Sequence, residues 1–192
     1  EAAEPVAVSK RASHLLNKWW LARPHAELTL RPGIPDVSLF PFSAVARIAA
    51  RFWRAQSGEQ MAYGSPLGVM ALRRAVAEFL RSYRGLQCDA EQVIITSGAQ
   101  SSFMAAAQVL ADPGDAAVVE NPGYTMAHHA LALAGLRLIP TPVDHDGVRV
   151  PRPSRAKRPP KLLVCTPAHH YPLGVTTALS RRLALLDWAR AH

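Results

Sequence analysis

Four short apolar runs recur along the chain, VIIT (93–96), AAVVE (116–120), LRLIP (136–140) and KLLVC (161–165), and helical spacing separates them. A strand that is apolar throughout has no face to offer water, and strands that alternate with helices run parallel. The implied architecture is α/β and three-layered: a mostly parallel sheet with helices on both faces.

Helices are expected over residues 100–110 and 126–134, and from Ser180 onward with that serine as cap. Two more precede the first apolar run. Residues 42–56 place Val45, Ile48, Ala49, Phe52 and Trp53 on one face, which should be buried. Residues 69–83 place Val69, Leu72, Val76, Phe79 and Leu80 on one side and the arginines on the other. Upstream lie a short helical stretch, SKRASHLLNKWWLA, and the Gly- and Pro-punctuated loop RPGIPDVSLFP.

With 49% of its 192 residues hydrophobic, the chain can bury a sizeable core. It has no run of about 18 consecutive apolar residues and no secretory leader, so no membrane partner and a cytoplasmic location are expected. Cys88 and Cys165 form neither a disulfide framework nor a metal spacing, and no metal site is expected. The formal charge of +8 is spread along the sequence. Its densest cluster, RPSRAKRPP, carries three prolines and reads as a solvated linker, and no aromatic stacking array accompanies it.

In parallel sheets ligands gather at the carboxyl ends of strands, so the loops after the strands carry the chemistry. TSGAQ (96–100) offers two hydroxyls and a glycine at a helix amino end, where N–H groups and the helix dipole favour an anion such as phosphate. Ser97 equally serves as a plain cap and Gly98 as a turn residue. ENPGY (120–124) sets Tyr124 beyond a Pro-Gly turn, where it could lie against a flat ligand or simply pack. TPAHHYPLG (166–174) supplies His169, His170 and Tyr171 as hydrogen-bonding groups. Together they describe a site for a flat, phosphorylated, hydrogen-bonding ligand.

The ordered set YGSPLG, LRRAVAEFL, IITSGAQ, DPGD, VVENPGY and TPAHHYPLG resembles the fold type I pyridoxal phosphate enzymes, the aminotransferase family. With SKRASHLL and LRPGIPDVSLFP ahead of it, the chain is similar to MocR-type regulators of the GntR family, in which a winged helix-turn-helix domain leads into an aminotransferase-like domain. The resemblance implies pyridoxal 5'-phosphate as cofactor, with Ser97, Gly98, Ala99 and Gln100 around its phosphate and Tyr124 stacked on its ring. It places His169 near the ring hydroxyl and Gly33 near a substrate carboxylate. Tyr63 would reach the phosphate of the other subunit's cofactor. His170 and Leu173 depart from the family's usual Gln and Thr.

The resemblance further implies a homodimer, DNA binding through an upstream winged helix, and a small amino-acid or amine effector. A second reading, an aminotransferase passing an amino group between an amino acid and a 2-oxo acid, uses the same residues. The cofactor's chemistry needs a lysine. Lys10, Lys18, Lys157 and Lys161 are the lysines of this chain, and none is placed to serve. The catalytic lysine is therefore expected beyond His192, in a longer protein of which this sequence is an internal piece. Residues 1–40 read as an arm or linker and residues 41–192 as part of the cofactor domain, cut before the lysine and inactive alone.

Overall fold

The structure, a computed structural model, describes residues 8–10, 13, 35–58, 62–151 and 159–191. Gly33 lies outside them, as do most of the leading arm and His192, past which the lysine is expected. The chain forms two compact units, one built on residues 34–97 and the other on residues 98–192 with 1–33.

In the larger unit, helix α3 (Ala99–Leu110) leads through a short turn into strand β1 (Ala116–Asn121). Helix α4 (Thr125–Leu133), strand β2 (Arg137–Asp144), the short strand β3 (Gly147–Val148), strand β4 (Leu162–Val164) and helix α5 (Leu179–Ala191) follow. The sheet order is β3-β2-β1-β4. Strand β1 pairs in parallel with both β2 and β4, while β2 and β3 close an antiparallel hairpin. The fold is thus α/β with a mostly parallel sheet.

Residues 116–120 are all buried. Successive side chains of a strand point to opposite faces, so burial without a break means that both faces of β1 are covered. On one face Ala117 and Val119 join Ala107 of α3, Leu131 of α4 and Leu136 in a single core cluster. Full burial of a side chain the size of Val or Leu contributes roughly 1.5 to 3 kcal/mol, and the small Ala107 lets α3 approach the strand closely. Helix α5 is tied to the hairpin by Arg181, which donates to Asp144 and to the carbonyls of Gly147 and Val148. Its first turn opens with the Arg182 N–H on the Ala178 carbonyl. Ser180 accordingly lies inside the helix and is not its cap.

The smaller unit contains helices α1 (Phe42–Arg54) and α2 (Met70–Arg84). Three of the sequence expectations need correction here. Val45, Ile48, Phe52 and Trp53 of α1 are 44% to 61% exposed, because no described residue of this unit packs over that face. On α2 the buried pair is Arg73 and Ala77, with Val76 and Leu80 half-buried beside them, while Val69, Leu72 and Phe79 are exposed. Arg73 turns inward because its Nε donates to the Val93 carbonyl at 2.7 Å, which satisfies a charged group that burial would otherwise penalise. Residues 93–96 are extended but belong to no sheet among the described residues. Among their contacts are that arginine, the Val93 N–H on the Ala90 carbonyl at 3.1 Å and the Ile95 N–H on the Leu67 carbonyl at 2.9 Å, and none of these is a strand ladder.

Gly68 leaves room for the Ile95 contact: its φ is +104°, and a Cβ there would stand 2.6 Å from Cγ1 and 2.7 Å from Cβ of Ile95. Gly68→Ala is expected to destabilise the protein by about 1 to 3 kcal/mol, measured as a lower urea midpoint with unchanged m-value.

Candidate functional site

Strand order decides where a ligand can sit. From β1 the chain crosses to β2 on one side and then returns to place β4 on the other, and in sheets of this kind such a reversal of strand order marks where a ligand crevice lies, here at the carboxyl ends of β1 and β4. A short turn joins α3 to β1, and the ring contact of Phe103, in the second turn of α3, with Tyr124, just past β1, brings the first turns of the helix beside the loop that follows the strand.

That amino end begins at Gly98, whose φ of +139° and ψ of 176° suit glycine alone, with nothing within 4 Å of where a Cβ would stand. The leading N–H groups of the helix, those of Ala99 and Gln100 among them, have no carbonyl one turn earlier to bond within the helix. No acidic residue occupies its first turn. The Nε2 of Gln100 is buried without a hydrogen-bond partner, an uncommon state for a polar atom.

One turn along α3, the ring of Phe103 lies 6.3 Å from that of Tyr124, and Tyr124 meets Tyr171 edge-on at 5.8 Å and 83°. The aromatic run thus connects α3 to the loop after β1 and the loop after β4. Of the residues in that second loop, Tyr171 is the one whose ring meets Tyr124, while His169 is exposed and His170 is buried. Tyr63 belongs to the smaller unit and is fully exposed.

Beneath the two loops lies a polar network that the motifs did not disclose. Glu120, 3% exposed, accepts from the Thr166 N–H at 2.9 Å and the Thr166 hydroxyl at 2.6 Å. His170, 2% exposed, places Nε2 at 3.1 Å from the Pro122 carbonyl and 3.5 Å from Glu120 Oε2. The signal available in the sequence was a lone acid closing an otherwise apolar strand. Burial raises the pKa of the neighbouring Cys165 thiol, and the Glu120 charge raises it further against a smaller opposing effect of Arg182. Burial also lowers the His128 pKa, with help from His129 and against the pull of Glu120. Lys161 sits at the amino end of β4, its N–H on the Ala116 carbonyl, and so at the far end of the strand from the crevice. It cannot stand in for the lysine expected beyond His192. The peptides before Pro122 and Pro172 are cis.

Residues 33–192 match the family described as aminotransferase class I and II. The chain is 36% identical over 165 residues to the probable rhizopine catabolism regulatory protein MocR of Rhizobium meliloti, covering 86% of this chain and 33% of that protein. It is 33% identical over 165 residues to the HTH-type pyridoxine biosynthesis transcriptional regulator PdxR of Corynebacterium glutamicum, covering 86% of this chain and 35% of that one. Among solved structures it is similar to the alpha-aminoadipate aminotransferase LysN of Thermus thermophilus, complexed with N-(5'-phosphopyridoxyl)-L-leucine. That likeness has a TM-score of 0.72 and 27% identity over 95% of this chain and 44% of the other. The chain therefore spans about a third of the length of these curated relatives. Among the described residues no helix is long and apolar enough to cross a membrane.

Two outcomes follow from the geometry of the loops. A Cβ on Gly123 would stand 2.5 Å from the Glu120 carbonyl oxygen, which is backbone and cannot step aside. Gly123→Ala is expected to cost about 2 kcal/mol or more in denaturant unfolding and to shift Tyr124. Because the thiolate is the reactive form and Cys165 is held above its ordinary pKa, alkylation of Cys165 by iodoacetamide should be slower at pH 8 than that of a free thiol. Peptide mapping checks this, and Glu120→Gln should speed the reaction.

Proposed function

Because the chain belongs to the class I and II aminotransferase family, we propose that the crevice between β1 and β4 binds pyridoxal 5'-phosphate within a transcription regulator of the MocR type. The observation that carries this reading is the aromatic run Phe103–Tyr124–Tyr171, which reaches from the two strand loops to the amino end of α3. A flat ring and a phosphate need a stacking surface and N–H donors close to one another. The glycine at 98 leaves an anion room to approach, and the unpartnered Gln100 amide leaves it a donor.

In this reading the N–H groups of residues 98–100 and the Ser97 hydroxyl hold the phosphate, and Tyr124 stacks on the ring. His169 and the Tyr171 phenol approach the ring hydroxyl. Tyr63, exposed in this chain, serves the cofactor of the second subunit of a homodimer, and Gly33 lies toward a carboxylate. The cofactor supplies an aldehyde that condenses with amines and a ring that withdraws electrons from them. Residues 41–192 make part of the cofactor domain and residues 1–40 the arm that leads into it. The lysine that would bond the cofactor follows His192 in the sequence of the whole protein.

The relatives named as regulators, PdxR as an HTH-type transcriptional regulator, favour a protein that acts on DNA through a winged helix ahead of Glu1. A small amino acid or amine that engages the cofactor would then shift the balance between two arrangements of the dimer. The likeness to LysN supports a second reading, an aminotransferase, which needs only a short arm in that place.

Titration of the full-length protein with pyridoxal 5'-phosphate should give saturable visible absorbance distinct from that of free cofactor. Tyr124→Ala is expected to weaken uptake about 10-fold, equivalent to about 1.4 kcal/mol. Absence of saturable uptake sinks the cofactor reading. Mobility shifts of the gene's own upstream DNA that respond to the cofactor would select the regulator over the enzyme.

A further inference from the structure

We propose that His170 is a positioning residue, a buried clasp that joins the loop after β4 to the loop after β1 and so sets the gap between Tyr171 and Tyr124. Its Nε2 faces two acceptors, the Pro122 carbonyl at 3.1 Å and Glu120 Oε2 at 3.5 Å. Two acceptors cannot share a bare nitrogen, so Nε2 carries a proton and donates. Nδ1 lies 3.4 Å from the Leu173 N–H, which donates to it. The backbone of His170 is fixed as well: its N–H donates to the Val175 carbonyl at 2.9 Å, and its carbonyl accepts from Gly174 at 2.6 Å. The imidazole is therefore anchored in its own loop while its side chain reaches across to the other.

The partner atoms belong to residues with no slack. Pro122 is followed by Gly123, which already abuts the Glu120 backbone, and then by Tyr124. Tyr171 follows His170 directly. A change in the His170 to Pro122 bond therefore moves both members of the 5.8 Å tyrosine pair. Glu120 supports the clasp from below, where Thr166 occupies it with two donors. His128 and Cys165 also feel the charge of Glu120. Being buried, His170 does not touch the ligand. It acts through the two tyrosines, and its consequence for binding rests on the cofactor reading above.

The test compares His170→Ala and His170→Gln in the full-length protein, with Leu185→Ala as a core variant whose lost stability lies away from the loops. The readouts are the dissociation constant for pyridoxal 5'-phosphate and, without cofactor, the near-UV circular dichroism of the tyrosine pair. His170→Ala should weaken binding about 10-fold or more and reduce the tyrosine signal. His170→Gln keeps an N–H donor for the Pro122 carbonyl and should restore affinity to within roughly threefold of wild type. Leu185→Ala should lose stability without that loss of affinity. Wild-type affinity and dichroism in His170→Ala overturn the clasp, as does a Gln variant no better than Ala. A wild-type protein that takes up no cofactor overturns the preceding reading, and the dichroism then decides the clasp by itself.

Discussion

A carboxylate buried at the end of an apolar strand has to be met by donors, and at Glu120 that requirement organises the working edge of the sheet. Leaving such a charge unpaired would cost several kcal/mol. The donors come from the neighbouring strand's loop: Thr166 supplies two and His170 approaches with a third. The pairing of β1 with β4 is thereby continued past the last ladder residue, and the two connections that follow those strands are held at fixed separation. The tyrosines that face each other across it inherit that separation.

The larger unit shows why a helix amino end comes to the same place. Strand β1 is covered on both faces, and Ala107 of α3 joins its core cluster. Phe103 sets its ring against Tyr124, so the first turns of α3 and the loop after β1 are neighbours as a result of packing. The small side chains Ala107, Ala111 and Ala134 around the core cluster are what allow the helices so close to the sheet.

The smaller unit follows a different logic. Several of its turns are satisfied locally, as at the left-handed Gly85 that ends α2 and in the reciprocal bonds between Asp89 and Gln92. Its apolar side chains are not. Phe42, Ile48, Phe52 and Trp53 of α1 keep half or more of their surface exposed, a stripe that amphipathic spacing creates and that local structure cannot cover. The buried Arg73 shows the converse: on α2 a hydrogen bond to a carbonyl outweighed the preference of arginine for water.

The sequence by itself determined the order of the helices and of strands β1, β2 and β4, because spacings of 3.6 and runs of apolar residues are local properties. It determined that residues 97–100, 124 and 169–171 lie on connections at strand or helix ends, since Gly, Pro and hydroxyl residues punctuate those places. Tertiary structure alone decided that β4 lies beside β1, that residues 93–96 join no ladder among the described residues, and that Tyr171 is the loop residue against Tyr124. It also decided that Glu120 and His170 share one network. The bonds involved join residues 46 and 48 positions apart. Such pairings depend on which side chains burial leaves in need of a partner, and no window of neighbouring residues contains that information.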